Sequence, residues 1–131
     1  MTTISSQKSE VNMPAEVVFE KISNFNNLSS AFPKDVTNYK VTADSISFDI
    51  PGMTTMAMQF KERNPYTSVV VESIMPTPFK FELQINIDKL DEEHCTTQVV
   101  INADLPVFVA AMAKKPLEKL VETINGGIKL S

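Results

Sequence analysis

The chain has 131 residues, enough for one domain with its own core, and 43% of them are hydrophobic against 21% charged. A net charge of −4, without a cluster of lysine and arginine, argues against nucleic acid as a partner, and the longest apolar run, residues 107–113, is far too short for stable membrane insertion. The single cysteine rules out an internal disulfide and points to a reducing, cytoplasmic setting for a soluble protein.

Residues 2–11 are polar, rich in Ser and Thr and free of Gly and Pro, which suits a strand. A helix start comes next. Asn12 can cap it, and Pro14 falls in the first turn, where its missing N–H costs nothing. Ala15, Val18, Phe19 and Ile22 then recur at helical spacing. The Asn-rich segment 24–33 breaks the pattern, but Phe25, Leu28 and Phe32 keep a spacing that predicts a second short helix, ended by Pro33.

Beyond Pro33 the period becomes two. Residues 36–41 and 45–50 read as short strands, with Ile46, Phe48 and Ile50 alternating with Ser45, Ser47 and Asp49. Pro51-Gly52 is a turn, and residues 54–63 form a strand with Met56, Met58 and Phe60 on one face. Residues 68–75 are a β-branched strand centred on Val69-Val70-Val71, with Met75 assigned to its inner face. The cleanest alternation runs over residues 79–90. Phe79, Phe81, Leu83, Ile85 and Ile87 face one way, and Lys80, Glu82, Gln84, Asn86 and Asp88 the other. After an acidic turn, residues 94–103 return with Cys95, Thr97, Val99 and Ile101 inward, and Asp104 can cap the final helix.

Residues 106–130 carry the longest helical pattern. Its apolar stripe is Val109, Met112, Ala113, Leu117, Leu120, Val121, Ile124 and Ile128, with Lys114, Lys115, Glu118, Lys119, Glu122 and Asn125 mostly opposite. Pro116 inside it removes a hydrogen bond at a cost of about 3 kcal/mol, which predicts a curved or broken helix. The order is strand, two short helices, about six strands with tight turns, and one long helix. This is an α+β domain over residues 1–131, with an antiparallel sheet of six to seven strands around the C-terminal helix.

The element order and several phrases resemble the START-like, helix-grip (SRPBCC) superfamily, which includes the birch pollen allergen fold. The phrases are VNMPAEVVFEKISNFNN at the helix pair, AFPKDV before the second strand, SFDIPGM at a hairpin, ERNP at a strand end, PFKFELQINI in the central strand and KKPLEKLVETI in the last helix. The similarity is greatest to a branch of small bacterial proteins of this fold that have no assigned activity. The resemblance implies a curved sheet gripping the last helix, with a cavity between them. Members bind lipids, sterols, polyketides and other apolar molecules, a minority are cyclases or hydrolases, and some act as chaperone cofactors, so the fold does not by itself set a function.

That reading makes a small hydrophobic or amphipathic molecule the expected partner. The expected lining is Phe32, Phe48, Met56, Met58, Phe60, Val71, Ser73, Phe81, Leu83, Thr97, Val99, Met112 and Leu117. Glu62, which follows Met56, Met58 and Phe60 on one face, and its neighbour Arg63 are candidate polar anchors at the rim. An entrance is expected between Met112 and Leu117 on one side and Phe32-Pro33 and Pro51-Gly52-Met53 on the other. No catalytic constellation, metal site or cofactor motif is visible. His94 and Cys95 are adjacent on a strand and point to opposite faces, and zinc needs more ligands than these two. The alternatives to ligand binding are a cyclase or dehydratase acting on an apolar substrate, and a protein-interaction module.

Overall fold

The computed structural model describes residues 2–51 and 54–130, with the backbone alone for Phe108, Lys129 and Leu130. Eight strands form one antiparallel sheet: β1 (Thr2–Ser5), β2 (Ser9–Val11), β3 (Thr37–Val41), β4 (Ser45–Asp49), β5 (Thr55–Asn64), β6 (Ser68–Ser73), β7 (Lys80–Lys89) and β8 (Cys95–Asp104). Their order is β1-β8-β7-β6-β5-β4-β3, with β2 also on β8. The strands from β3 to β8 follow one another through short turns, so the sheet is a meander closed by the N-terminal segment. Three helices complete it: α1 (Ala15–Ile22), α2 (Phe25–Leu28), continued by a 3-10 turn at Ser29–Ala31, and α3 (Val107–Leu130).

The secondary-structure elements depart from the sequence expectation at four places, each with a local cause. The first segment is two strands, not one. The register passes from Ser5↔Val100 to Ser9↔Thr97, which leaves one extra residue on the N-terminal side. That extra residue moves the inward positions from Ile4 and Ser6 to Ser9 and Val11, and it brings the strand count to eight. Asn12 does not cap α1; Pro14 occupies the cap position, and Asn24 caps α2 by accepting a hydrogen bond from the Asn26 N–H. Asp104 ends β8 and does not cap α3, whose first N–H bonds, from Val109 and Ala110, go to the Pro106 carbonyl. Finally, of the curved or broken helix expected at Pro116, the break does not occur: α3 is continuous through it. The packing of its buried face outweighs the lost hydrogen bond.

That buried face comprises Ala113, Leu117, Leu120, Val121, Ile124, Asn125 and Ile128. It lies on β8, β1 and β2, while α1 packs on β7 and β6. Each large aliphatic side chain removed from water contributes about 1.5–3 kcal/mol, so this face is the main attachment of α3. Its last turns approach the 3-10 turn very closely. A Cβ added at Gly127 would lie 2.4 Å from the Ala31 Cα, whereas one at Gly126 would meet nothing within 4 Å. The two neighbouring glycines should therefore respond oppositely to alanine. Gly127→Ala will destabilise by about 1–3 kcal/mol through overpacking against backbone. Gly126→Ala will stabilise by about 0.5–1 kcal/mol through helix propensity. Urea unfolding of the two variants tests this, and shifts of the same sign would show that the Ala31 contact is wrongly placed.

Candidate functional site

The inner face of the sheet carries nearly all the expected lining residues, and they are packed tight. Phe48, Met56, Met58, Val71, Leu83, Thr97, Val99 and Leu117 keep 0–1% of their surface, and Phe32 and Phe81 are also buried. A side chain facing a water-sized void would retain surface toward it, so these eight touch neighbours on all sides. Alternation along the strands from β4 to β8 places seven of them there, and Leu117 comes from α3: Met58 pairs with Ser73, Phe60 with Val71, and Leu83 with Ile101. Much of the remaining space is taken by a chain of aromatic rings. Phe60 stacks on Phe25 at 4.4 Å, Phe25 meets Phe32 edge-on, Phe32 meets Phe48, and Phe48 stacks on Tyr39. Phe25 anchors this chain from α2.

Two expected inward methionines point elsewhere. Met112 is 65% exposed. It lies one residue, about 100° around the helix, from buried Ala113, and so belongs to the flank of α3. Met75 is 86% exposed because β6 ends at Ser73 and Met75 sits in the following loop. Glu62 is a further correction. The β5–β6 register jumps from Phe60↔Val71 to Glu62↔Val70, so a bulge at Lys61 reverses the alternation and turns Glu62 to the outer, exposed side. Arg63 takes the inward position in its place. Its guanidinium lies 4.2 Å from the centre of the Phe60 ring and donates to the Ser23 carbonyl at 3.0 Å and to Asp44 at 2.8 Å. Arg63 thus ties α1 to the β3–β4 turn.

The interior polar groups have partners inside the protein. Ser73 Oγ accepts a hydrogen bond from the Phe81 N–H. Thr97 Oγ1 donates to Asn125 Oδ1 at 2.8 Å, and Asn125 Nδ2 donates to the Gln7 carbonyl and to Ser9 Oγ. Asn125, which the stripe placed on the polar side, is thus the buried hub that joins α3 to β2 and β8. Its spacing of four from Val121 and eight from Leu117 is the signal that locates it.

Among the described residues, the Cys95 thiol lies in this interior, and burial pushes it up. His94 occupies the hairpin, with Nδ1 2.8 Å from Asp91 Oδ1; that hydrogen bond raises the imidazole above its ordinary value. The Asp91 carboxyl is held low by the Glu93 backbone N–H and then by His94. No group of three or more His, Cys, Asp or Glu residues able to hold a metal ion occurs among the described residues.

A cleft opens beside α3. Pro33, Asp35, Val36, Ile50, Pro51, Lys115, Pro116, Lys119 and Leu120 enclose about 240 Å³. It lies at the position where the sequence suggests an entrance, with Lys115 and Lys119 in place of Met112 on the helix side. Gly52 and Met53, named with that entrance, lie outside the described residues. The floor is apolar, made by Val36, Ile50 and Pro116 over buried Leu120. Across the mouth Lys119 Nζ donates to Asp35 at 3.1 Å, and this bond holds the Asp35 carboxyl below its usual value. A larger cleft of about 520 Å³ lies at the β6–β7 ends, bounded by Glu72, Ser73, Lys80, Phe81, Glu82 and Asn102. Five of its six bounding residues are charged or polar, with Glu72 opposite Glu82 and Lys61 bonded to Glu82.

No protein-family model and no curated protein sequence matches this chain. Solved structures do. The protein XoxI from Bacillus cereus superposes with a TM-score of 0.75 at 13% identity, over 99% of this chain and 94% of that one. A START superfamily protein from Mycobacterium smegmatis gives 0.66 at 17% identity, over 98% and 97% of the two chains. The chain has the START-like helix-grip fold. Norcoclaurine synthase from Thalictrum flavum shares it as well, with a TM-score of 0.70 at 11% identity over 98% of this chain and 84% of that one. At such identities the likeness concerns the START-like frame, and site chemistry has to come from this chain's own residues. No helix among the described residues is long and apolar enough to cross a membrane.

Proposed function

We propose that this START-like domain binds a small hydrophobic or amphipathic ligand between α3 and the sheet, entering by the cleft at Pro33, Pro51 and Pro116. The observation that carries the reading is the cleft itself, an apolar floor that adjoins the core through Leu120. Burial of apolar area, at about 25 cal/mol per Å², is the driving force it offers. Phe32 and Leu117 are the buried chain neighbours of Pro33 and Pro116, and Phe48 lies two residues from Ile50. They form the next layer inward. Met56 and Met58 lie within the same core, and methionine repacks at low cost, so a longer ligand would be admitted among these residues. The buried polar side chains among the described residues are Ser6, Ser68, Thr77, Thr97 and Asn125, which favours binding over acid–base chemistry as the role of the interior.

Native mass spectrometry of protein purified from its own cells, with Nile red titration in parallel, tests the proposal. Retained apolar molecules, or dye uptake that falls when Leu120 is replaced by a charged residue, are the expected results. A bare-chain mass together with no dye uptake would sink it.

A further inference from the structure

We infer that the head group this cleft selects is a single negative charge, on a small apolar molecule of which about eight heavy atoms fill the cleft. The inference rests on the reading of the cleft as a ligand site and adds the ligand's class. Three charged residues border the cleft: Asp35, Lys115 and Lys119. Asp35 and Lys119 neutralise one another across the mouth at 3.1 Å. Lys115 forms no ion pair with another described residue, Glu118 one turn on included, so the cleft carries one uncompensated positive charge. Lys115 and Lys119 are four residues apart on α3 and therefore lie on the same side, above the floor at Pro116. An acid whose tail lies on Val36, Ile50 and Pro116 brings its carboxylate to Lys115 without breaking the Asp35–Lys119 pair. An alkylammonium of the same length would place like charge beside Lys115, and an alcohol would leave it unpaired.

The size follows from the volume. At about 30 Å³ for a water-sized group, the 240 Å³ cleft holds roughly eight heavy atoms of ligand. This points to a medium-chain or small aromatic monocarboxylate. The Asp35–Lys119 pair is exposed on both sides, with 61% and 66% of the two side chains accessible, and such pairs contribute little to stability. It can therefore open for a bulkier molecule.

Octanoate, 1-octanol and octylammonium, titrated separately into the 15N-labelled full chain, separate the possibilities. Octanoate is expected to shift amide resonances at Val36, Ile50 and Leu120, with at least tenfold tighter binding than octanol and no saturable binding of octylammonium. Lys115→Glu should remove that tenfold preference while octanol binding is retained, which also shows that the variant is folded. Equal affinity for octanoate and octanol, or a preference that survives Lys115→Glu, would overturn the inference and leave the ligand site standing. If none of the three probes moves these resonances, the ligand site fails as well.

Discussion

Leu120→Ala will destabilise the protein by about 2–5 kcal/mol in urea unfolding. Leu120 is 1% exposed and lies in the row of α3 that meets the sheet. Truncation removes three carbons from that contact and leaves a hole, since the Leu117 and Ile124 side chains beside it are already fully packed. The site has one unusual neighbour, the cleft whose floor lies over Leu120. Some of the new void will merge with the cleft and fill with water, which places the expected cost in the lower half of the range. Met112→Ala is the control. It removes a side chain of similar size from a mostly exposed position eight residues earlier, and it should stay within about 0.5 kcal/mol of the parent. If the two costs came out in the reverse order, the rotation of α3 on the sheet would be wrong.

The second large effect lies at Asn125. Asn125→Asp keeps the shape and replaces Nδ2, which donates to the Gln7 carbonyl and to Ser9 Oγ, with an oxygen. Ionised, that oxygen would face a carbonyl oxygen at hydrogen-bond distance with no water to screen it. At pH 7 the expected loss is about 3 kcal/mol, from broken bonds and a buried charge. The sign of the pH dependence comes from linkage. In its protonated form the introduced carboxyl can donate to Gln7 as asparagine does, so its folded pKa rises above the unfolded value of about 3.9. The folded state then holds the proton more tightly. The variant should match the parent closely below that unfolded value and fall behind as pH rises toward the folded one. Urea unfolding of parent and variant at pH 4 and pH 7 measures the gap. An equal gap at both would mean that Asn125 reaches water.

These expectations rest partly on features that a reading along the chain can find. The alternation of Phe81, Leu83, Ile85 and Ile87 in β7, and of Thr97, Val99 and Ile101 in β8, identifies the buried face correctly, because both strands are regularly paired from end to end. In β5 the same rule holds through Phe60 and fails at Glu62. The failure comes from a single unpaired residue, Lys61, and nothing in the local order of residues marks it. The cleft is only half legible along the chain. Pro33, Pro51 and Pro116 stand out as punctuation, but the charges on its rim come together only when α3 settles beside the segment before β3.

The list of elements, their order and the faces of the regular strands are legible along the chain. Each depends on a period or a turn residue within a short window, as in the meander from β3 to β8. The tertiary structure alone decides how far α3 is rotated. Spacing accommodates Met112 and Asn125 on either side of the stripe boundary, and contact with β8, β1 and β2 puts Met112 outside and Asn125 within. It also decides that the inner face is filled. Phe25, Phe32, Phe48, Phe60 and Tyr39 come from five separate segments, and only their packing into one chain of rings closes the space that the helix-grip outline leaves open. Filling is a property of summed volumes around a common centre, and no local pattern records it.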